Sequence, residues 1–361
     1  MEFIFKIRNK ILAWGYRHFF KPVAFAIDPE KVHDWMTWGG RLLGSNPLTR
    51  GLNRIAFDYQ HPALEQDVLG IHFKNPIGLS AGFDKNAQLT KIIPCVGFGF
   101  EEVGSVTGEA CAGNPKPRLW RHPELKSIRV YYGLLNDGSE KIAARLKGKH
   151  FAIPVGISLA KTNSPETCET EAGIADYVKA FKAFADIGAY FTINVSCPNA
   201  YGGQPFTDPK KLEALLSALD QIPTKKPIFL KLSPDLSSKE IDEILQVTKR
   251  HRVHGFVCTN LTKKHKFGEG GLSGKAVEGF ANAQIREIYK KTEGNMVIIG
   301  CGGVSSAQDA YEKLKAGATL LELITGMIYE GPQLISQINQ GLVELMKKDG
   351  ISSIADIKRT V

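Results

Sequence analysis

The sequence predicts an α/β protein: a (β/α)8 TIM barrel carrying a small N-terminal two-helix, membrane-associated cap. Three observations carry this expectation. From residue 76 onward, short β-type runs alternate eight times with stretches of helical period. Glycines and polar side chains collect just after the carboxyl ends of those runs. Ahead of the alternation stands a segment in which basic and aromatic residues are interleaved.

The N-terminal segment comes first. Residues 1–27 carry Lys6, Arg8, Lys10, Arg17 and Lys21 against the single acid Glu2, with Phe3, Ile4, Phe5, Ile7, Trp14, Phe19 and Phe20 between them. No stretch is apolar for the ~20 residues that a spanning helix needs, and no small-residue cleavage site follows an apolar core. Basic residues interleaved with aromatics fit a helix lying in a membrane interface. A second helix is expected from Asp28, an N-cap followed by Pro29 at the first helical position. Val32, Trp35, Met36, Trp38, Leu42 and Leu43 form its apolar face, and Gly39 and Gly40 are expected to interrupt or end it. The domains are accordingly drawn as a cap over 1–60 and a barrel over 61–361.

The eight strands are read at 76–81, 100–106, 152–158, 189–195, 227–232, 254–259, 296–301 and 319–324, with helical stretches at 169–187, 209–220, 238–251, 277–292 and 305–316. This alternation fits a closed barrel better than an open doubly wound sheet, whose GxGxxG turn after the first strand is absent. A barrel places its chemistry at the carboxyl ends of its strands. There stand Gly82, Asp84 and Lys85; Gly104 and Ser105; Asn194, Ser196 and Cys197; Lys231; Thr259 and Asn260; Gly302 and Gly303; Thr325 and Gly326. Loops after strands 7 and 8 commonly cradle a phosphate. "GCGGVSS", "LITGM" and "GGLSG" supply the glycines, so a phosphate-bearing cofactor is expected.

Two lysines near the mouth require partners, because an unpaired buried ammonium is costly. Lys231 is read as supporting negative charge on a reduced cofactor. Lys85 is read as meeting the cofactor or an anionic substrate. Asp84 and Asp235 are the candidate salt-bridge partners if the lysines are only structural.

Composition limits the remaining classes. A formal charge of +9 would suit nucleic acid, an anionic membrane or an anionic ligand. Zinc-finger spacing, RNP-like aromatic motifs and long basic runs are missing, so no nucleic-acid partner and no metal are expected. The six cysteines form no CxxC pair, which fits a reducing compartment, and Cys95, Cys258 and Cys301 are read as small core residues.

With these residues in hand, the chain resembles the dihydroorotate dehydrogenases, and within them the class 2, quinone-linked, membrane-associated branch. The motifs run in order along nearly the whole chain: "DPEKVHDW", "FKNPIGLSAGFDKN", "GFGFEEVGSVT", "GNPKPRLWR", "INVSCPN", "KLSPDL", "GGLSGKA", "IIGCGGVSSAQDAYEKLKAGA" and "EGP". The resemblance implies FMN, held by Ala81, Gly82, Lys85, Ser105, Ser158, Asn194, Lys231, Thr259, Gly274, Gly302, Gly303, Ile324 and Thr325. It implies substrate contacts from Lys85, Asn194, Asn199 and Asn260, and a quinone route past His33 and Arg121. The implied reaction is oxidation of dihydroorotate to orotate in pyrimidine (UMP) biosynthesis. A monomer at the cytoplasmic face of a bacterial cytoplasmic membrane is expected.

The family's base position is Cys197 here, where class 2 members usually carry serine and the soluble class 1 enzymes carry cysteine. A free thiol titrates near pH 8.5, so a cysteine needs less activation than a hydroxyl. Other positions depart from the family pattern. Val130 stands for a carboxamide, Leu134 for a phenylalanine, Leu261 for a hydroxyl residue and Ser158 for an asparagine. These changes surround the substrate, so the alternative is an FMN oxidoreductase of the same fold acting on a less polar cyclic substrate.

Overall fold

The computed structural model describes residues 2–357. An antiparallel hairpin, β1 (Gln66–Val68) and β2 (Ile71–Phe73), precedes the barrel. β3 (Ile77–Leu79) and β4 (Phe100–Val106) begin it. β5 (Leu119–His122) and β6 (Ser127–Val130) leave it as an antiparallel excursion. β7 (Val155–Leu159), β8 (Tyr190–Asn194), β9 (Ile228–Leu232) and β10 (Gly255–Cys258) continue the barrel. β11 (Gly271–Gly274) pairs with β6 in the excursion, and β12 (Val297–Cys301) and β13 (Leu320–Leu323) complete the ring. All barrel neighbours are parallel, and β13 closes on β3 through Leu321–Ile77 and Leu323–Leu79. Each of the eight expected strands is present.

Strand side chains alternate with period two, and here that alternation builds layers inside the ring. Phe100, Tyr190, Phe229, Val257, Ile299 and Leu320 fill the bottom, where Val68 and Phe73 of the hairpin join them. Two residues further along the same strands come Glu102, Thr192, Lys231 and Glu322, all buried. Asn194, Thr259 and Cys301 follow at the upper rim. The larger apolar core lies between the ring and the helices packed around it.

The cap is α1 (Glu2–Gly15), a π-helical turn (Tyr16–Phe20), α2 (Lys21–Ala26), α3 (Pro29–Ser45) and α4 (Pro47–Phe57). Asp28 caps α3 as expected, accepting from the N–H groups of Glu30 and Lys31. Gly39 and Gly40 do not end the helix, which runs on to Ser45. The reason is packing: a Cβ on Gly40 would lie 2.8 Å from the Leu89 side chain, and one on Gly44 3.3 Å from Ile92. These glycines let α3 approach the barrel closely. The break comes instead at Asn46, whose side chain caps α4 ahead of Pro47. The sequence reading did not resolve α4 as a helix.

The outer helices are α5 (Ser139–Leu146), α6 (Thr170–Ala183), α7 (Pro209–Asp220), α8 (Ser238–Thr248), α9 (Glu278–Lys291) and α10 (Ala307–Lys315). A short α11 (Thr325–Glu330) and the long α12 (Leu334–Lys348) end the fold. α1 docks on α12: Arg8 donates to Ser336 Oγ (2.6 Å) and to the carbonyls of Ile55 and Asp58 (2.9 Å each). Tyr16 and Lys21 reach the carbonyls of Ile328 and Tyr329.

The other face of the cap is bare. Phe3, Ile4, Ile11, Trp14 and Phe19 of the first helices, Trp35, Trp38 and Leu42 of α3, and Leu48, Leu52 and Ile55 of α4 are all exposed. No helix among the described residues is long and apolar enough to cross a membrane.

A buried ion pair ties the cap to the excursion. Arg118 gives Glu30 two hydrogen bonds to one oxygen (Nε 3.0 Å, Nη2 2.8 Å), and both side chains are only 8% exposed. Arg118 also donates to the carbonyls of Ala112 and Asn114. Lys116 Nζ lies 3.3 Å from the same Glu30 oxygen, but that side chain is exposed. Removing Arg118 leaves Glu30 this solvated cation alone, and losing a buried partner costs up to about 3–5 kcal/mol. Arg118→Met is therefore expected to lower unfolding stability by about 3 kcal/mol in urea titration. A loss below about 1 kcal/mol would show that solvent replaces the pair.

Candidate functional site

The carboxyl ends of the barrel strands open into one cavity of about 270 Å³. Its floor is the barrel rim, its roof is β5, β6 and β11, and its outer side is α3. From β3 and its loop come Ser80, Ala81, Gly82 and Lys85, and from β4 Ser105. The β8 side contributes Asn194, Cys197 and Asn199, and β9 contributes Lys231. Thr259, Asn260, Gly274, Gly302, Gly303, Ile324 and Thr325 complete the far wall, and His33 and Arg121 stand toward the cap.

The cavity thus gathers every site residue expected from the sequence except Ser158. That side chain is buried behind the wall, with its Oγ 2.8 Å from Ser105 Oγ. Ser105 in turn accepts from Asn194 Nδ2 at 2.8 Å. Asn194 Oδ1 accepts from Ser196 (N 3.2 Å, Oγ 3.0 Å) and from Asn260 Nδ2 (3.2 Å). The result is a connected amide–hydroxyl network across the ends of β4, β7, β8 and β10. Ser158 is linked to the cavity wall through Ser105.

Lys231 sits under the cavity with its Nζ 3.8 Å from carboxylate oxygens of both Glu102 and Glu322. Burial favours the neutral amine, but the two acids outweigh it and hold the Lys231 pKa above the ordinary range. The aspartates suggested as lysine partners are used elsewhere. Asp84 accepts the N–H groups of Gln88 and Leu89, and Asp235 accepts from Thr262 Oγ1 and Lys263 N. Asp84 is satisfied within its own turn, and Asp235 by the loop 27 and 28 residues further along the chain.

Among the described residues, no carboxylate lies within ion-pair distance of Lys85. Its Nζ lies 4.0 Å from the Tyr132 ring centre and 3.3 Å from His33 Nε2. Burial pulls its pKa down to about 8, against the more distant pull of Asp34 and Glu30. Burial and the neighbouring Lys85 also push His33 below its ordinary value, so the imidazole is neutral. Lys85 is a desolvated cation without an anion of its own, open to the cavity.

Cys197 is half-buried, and burial raises its thiol pKa, opposed by the Asn199 backbone N–H and by Lys161. Part of the advantage of a free thiol over a hydroxyl is thereby offset. Lys161, unforeseen from the sequence, is buried without a carboxylate in contact. It donates to Tyr201 O (2.8 Å) and Thr167 Oγ1 (3.3 Å) and shares a small cavity with Cys197. Asn199 Nδ2 donates to Val130 O (2.8 Å), while its buried Oδ1 has no partner. Cys301, read as a core residue, instead lines the cavity 3.5 Å from Ser80 Oγ.

The sequence reading also missed Glu102, Glu322, Tyr132 and Ser273. The first two had a visible signal: a glutamate inside "FEEVGSV" or "LLELI" is exceptional unless a cation meets it. The roof strands had a weaker one, since β11 is short and glycine-rich.

The cavity fits a phosphate-bearing planar group. Gly82, Gly302 and Gly303 have φ of 111°, 112° and 81°, the region that glycine enters without strain. A Cβ on Gly302 would come 2.8 Å from Val277, and one on Gly274 2.6 Å from Thr325. Side chains at these points would fill the wall where the backbone turns toward the cavity.

Comparison with known proteins places the chain. The family model for dihydroorotate dehydrogenase matches residues 63–346. The chain belongs to the dihydroorotate dehydrogenase family. It is thereby an oxidoreductase, of a flavin-dependent family. Proteins named dihydroorotate dehydrogenase (quinone) from Natronomonas pharaonis and Acaryochloris marina are each 37% identical to it, over 95% of this chain and 98% of theirs. A crystal structure of the Eimeria tenella enzyme (DHODH) in complex with ferulenol superposes with a TM-score of 0.82 at 27% identity, covering 92% of this chain and 95% of that one.

The raised thiol pKa has a direct readout. Alkylation of Cys197 by iodoacetamide, followed by mass spectrometry, is expected to be slow at pH 7 and to keep accelerating about tenfold per pH unit beyond the range in which a solvent-exposed thiol has already levelled off. A Cys197 already fully reactive at pH 7 would contradict the desolvation of this thiol.

Proposed function

We propose that the protein is a quinone-linked dihydroorotate dehydrogenase that uses FMN in pyrimidine biosynthesis, with Cys197 as its base. The supporting observation is the convergence of Lys85, Cys197, Asn194, Asn199, Asn260 and Lys231 on one cavity that opens toward the bare cap.

FMN, when bound, accepts a hydride from the substrate and passes the electrons to quinone. The chain's own groups do the rest. Lys85 attracts the substrate carboxylate, being a desolvated cation that lacks an anion. Asn199 Oδ1, buried and unpartnered, accepts an N–H of the ring, and the linked amides of Asn194 and Asn260 bind the remaining polar edge. Cys197 Sγ takes a proton from the ring carbon. The positive charge of Lys161 lowers the cost of holding that sulfur ionised. Lys231 would supply positive charge to the bound cofactor, and the glycine turns after β12 and β13, with Gly274 and Thr325, would hold its phosphate. Closure by β5, β6, β11 and α3 keeps water from this proton transfer.

Residues 1–60 serve as the cap and membrane-association segment, and 61–361 as the FMN-binding barrel. Basic residues beside exposed Trp and Phe on α1–α4 fit attachment to the cytoplasmic face of a cytoplasmic membrane. Quinone would enter past Met36, His33 and Arg121. Arg121 donates to the carbonyls of Ile27 (2.8 Å) and Phe25 (3.4 Å), holding the α2–α3 turn at that mouth. The protein acts as a monomer.

One observation favours a second substrate. Val130, Leu134 and Leu261 line the cavity where polar groups would serve a polar ring. Each lost hydrogen bond to a buried polar group costs roughly 1–3 kcal/mol. A less polar cyclic substrate would escape that penalty.

The deciding experiment is anaerobic addition of dihydroorotate to the purified yellow protein. The flavin absorbance is expected to bleach, and Cys197→Ala is expected to keep its flavin but reduce at least ~100-fold more slowly. A wild-type protein that stays yellow favours the less polar substrate, and a variant as fast as wild type removes Cys197 from the base role. Separately, co-sedimentation with anionic lipid vesicles is expected for the full chain and is expected to fall severalfold in a Trp35→Ser, Trp38→Ser variant. Equal sedimentation would show that these side chains do not meet lipid.

A further inference from the structure

The middle layer of the barrel holds more acid than Lys231 requires. Glu102 and Glu322 each place a carboxylate oxygen 3.8 Å from Lys231 Nζ, and both are fully buried. Their surroundings differ. Glu102 Oε2 accepts a hydrogen bond from Thr192 Oγ1 at 2.5 Å, while among the described residues neither oxygen of Glu322 has a hydrogen-bond partner. Glu322 also lines the cavity, and Glu102 does not. Two carboxylates sharing one cation in a low-dielectric site cannot both ionise cheaply. The proton belongs on the one without hydrogen bonds. Burial and the neighbouring Glu102 push the Glu322 carboxyl well above its ordinary range, against the pull of Lys231.

The remaining groups facing Glu322 do not supply a second cation. Cys301 on β12 carries a thiol raised by burial, and Tyr190 on β8 is a neutral phenol raised by burial and by the acids themselves. Ser80, just after β3, is uncharged and accepts from Lys231 at 3.4 Å. The cluster Glu102–Lys231–Glu322 is therefore neutral with one proton and negative without it.

We propose that Glu322 is a positioning residue whose exchangeable proton, held beside Lys231, couples proton uptake to reduction of the flavin bound above it. This rests on the flavin reading of the cavity. Electrons delivered to that cavity make the site more negative. Where Glu322 is ionised, it competes with the new charge for Lys231. A proton from solvent then forms an O–H bond on Glu322, and the electrons stay on the flavin. Below the Glu322 pKa of the oxidised protein the acid is already protonated and no extra proton enters. Above it, each two-electron reduction takes up one additional proton.

The test is the midpoint potential of the bound flavin, measured spectroelectrochemically from pH 6 to pH 10. In the wild type, an alkaline window is expected in which the potential falls more steeply by about 30 mV per pH unit, the two-electron equivalent of a tenfold change in proton activity. Glu322→Gln is expected to lack that window. Glu102→Gln leaves Glu322 as the sole partner of Lys231 and is expected to move the window to lower pH. Identical profiles in the wild type and Glu322→Gln overturn the proposal. An unmoved window in Glu102→Gln overturns it even if the first variant does not fold.

A second readout needs no cofactor. A buried carboxyl with a raised pKa weakens the fold as pH rises above its unfolded-state value. Urea unfolding of the flavin-free protein between pH 5 and pH 9 is expected to show a larger loss of stability in the wild type than in Glu322→Gln. Equal losses overturn the charge assignment. If the purified protein carries no flavin and takes up none, both this inference and the proposed function fail. If flavin binds and bleaches with dihydroorotate but the profiles coincide, only this inference fails.

Discussion

One constraint organises the molecule: a closed ring of parallel strands admits only side chains that fit its axis, two residues apart on each strand. Closure of β13 on β3 forces Phe100, Tyr190, Phe229, Ile299 and Leu320 into one apolar floor. The next inward positions must then be small or charge-balanced, and Lys231 between Glu102 and Glu322 meets that demand. The third layer reaches the rim, where Asn194, Thr259 and Cys301 face the cavity. The same register that packs the floor therefore sets the height and direction of every rim group.

The rim is only half of the site. The rest comes from two additions to the barrel, the excursion of β5, β6 and β11 and the helices of the cap. They meet at Arg118 and Glu30, and between them they surround Lys85 and His33. Lys85 is desolvated because Tyr132 from the excursion and α3 from the cap cover it together. Its depressed pKa is thus a property of the assembled roof.

How far the sequence was legible follows the range of the interactions. Period-two runs and the residues ending them are local signals, so the eight strands and the rim residues of the site were readable in order. The layered interior depends on which strands become neighbours. Pairing Lys231 with Asp84 or Asp235 was reasonable along the chain, yet Glu102 and Glu322 reach it only across the closed ring. Gly39 and Gly40 were read by their propensity as a helix end, whereas contact of Gly40 with Leu89 reverses that preference. The upward push on the Cys197 thiol was not legible for a similar reason, since its burial is set by distant chain. Ser158 matched a ligand-contact position, but its hydroxyl reaches no further than Ser105.

The Glu30–Arg118 pair carries a practical consequence for anyone shortening this chain. Cutting away the cap to obtain a lipid-free barrel also discards Glu30, the carboxylate that Arg118 touches among the described residues. The guanidinium then retains two carbonyls and gains an empty position beside the ligand cavity. Compound screens run on such a trimmed barrel would enrich acids that neutralise this artificial hole, and those hits would lose their footing in the intact enzyme.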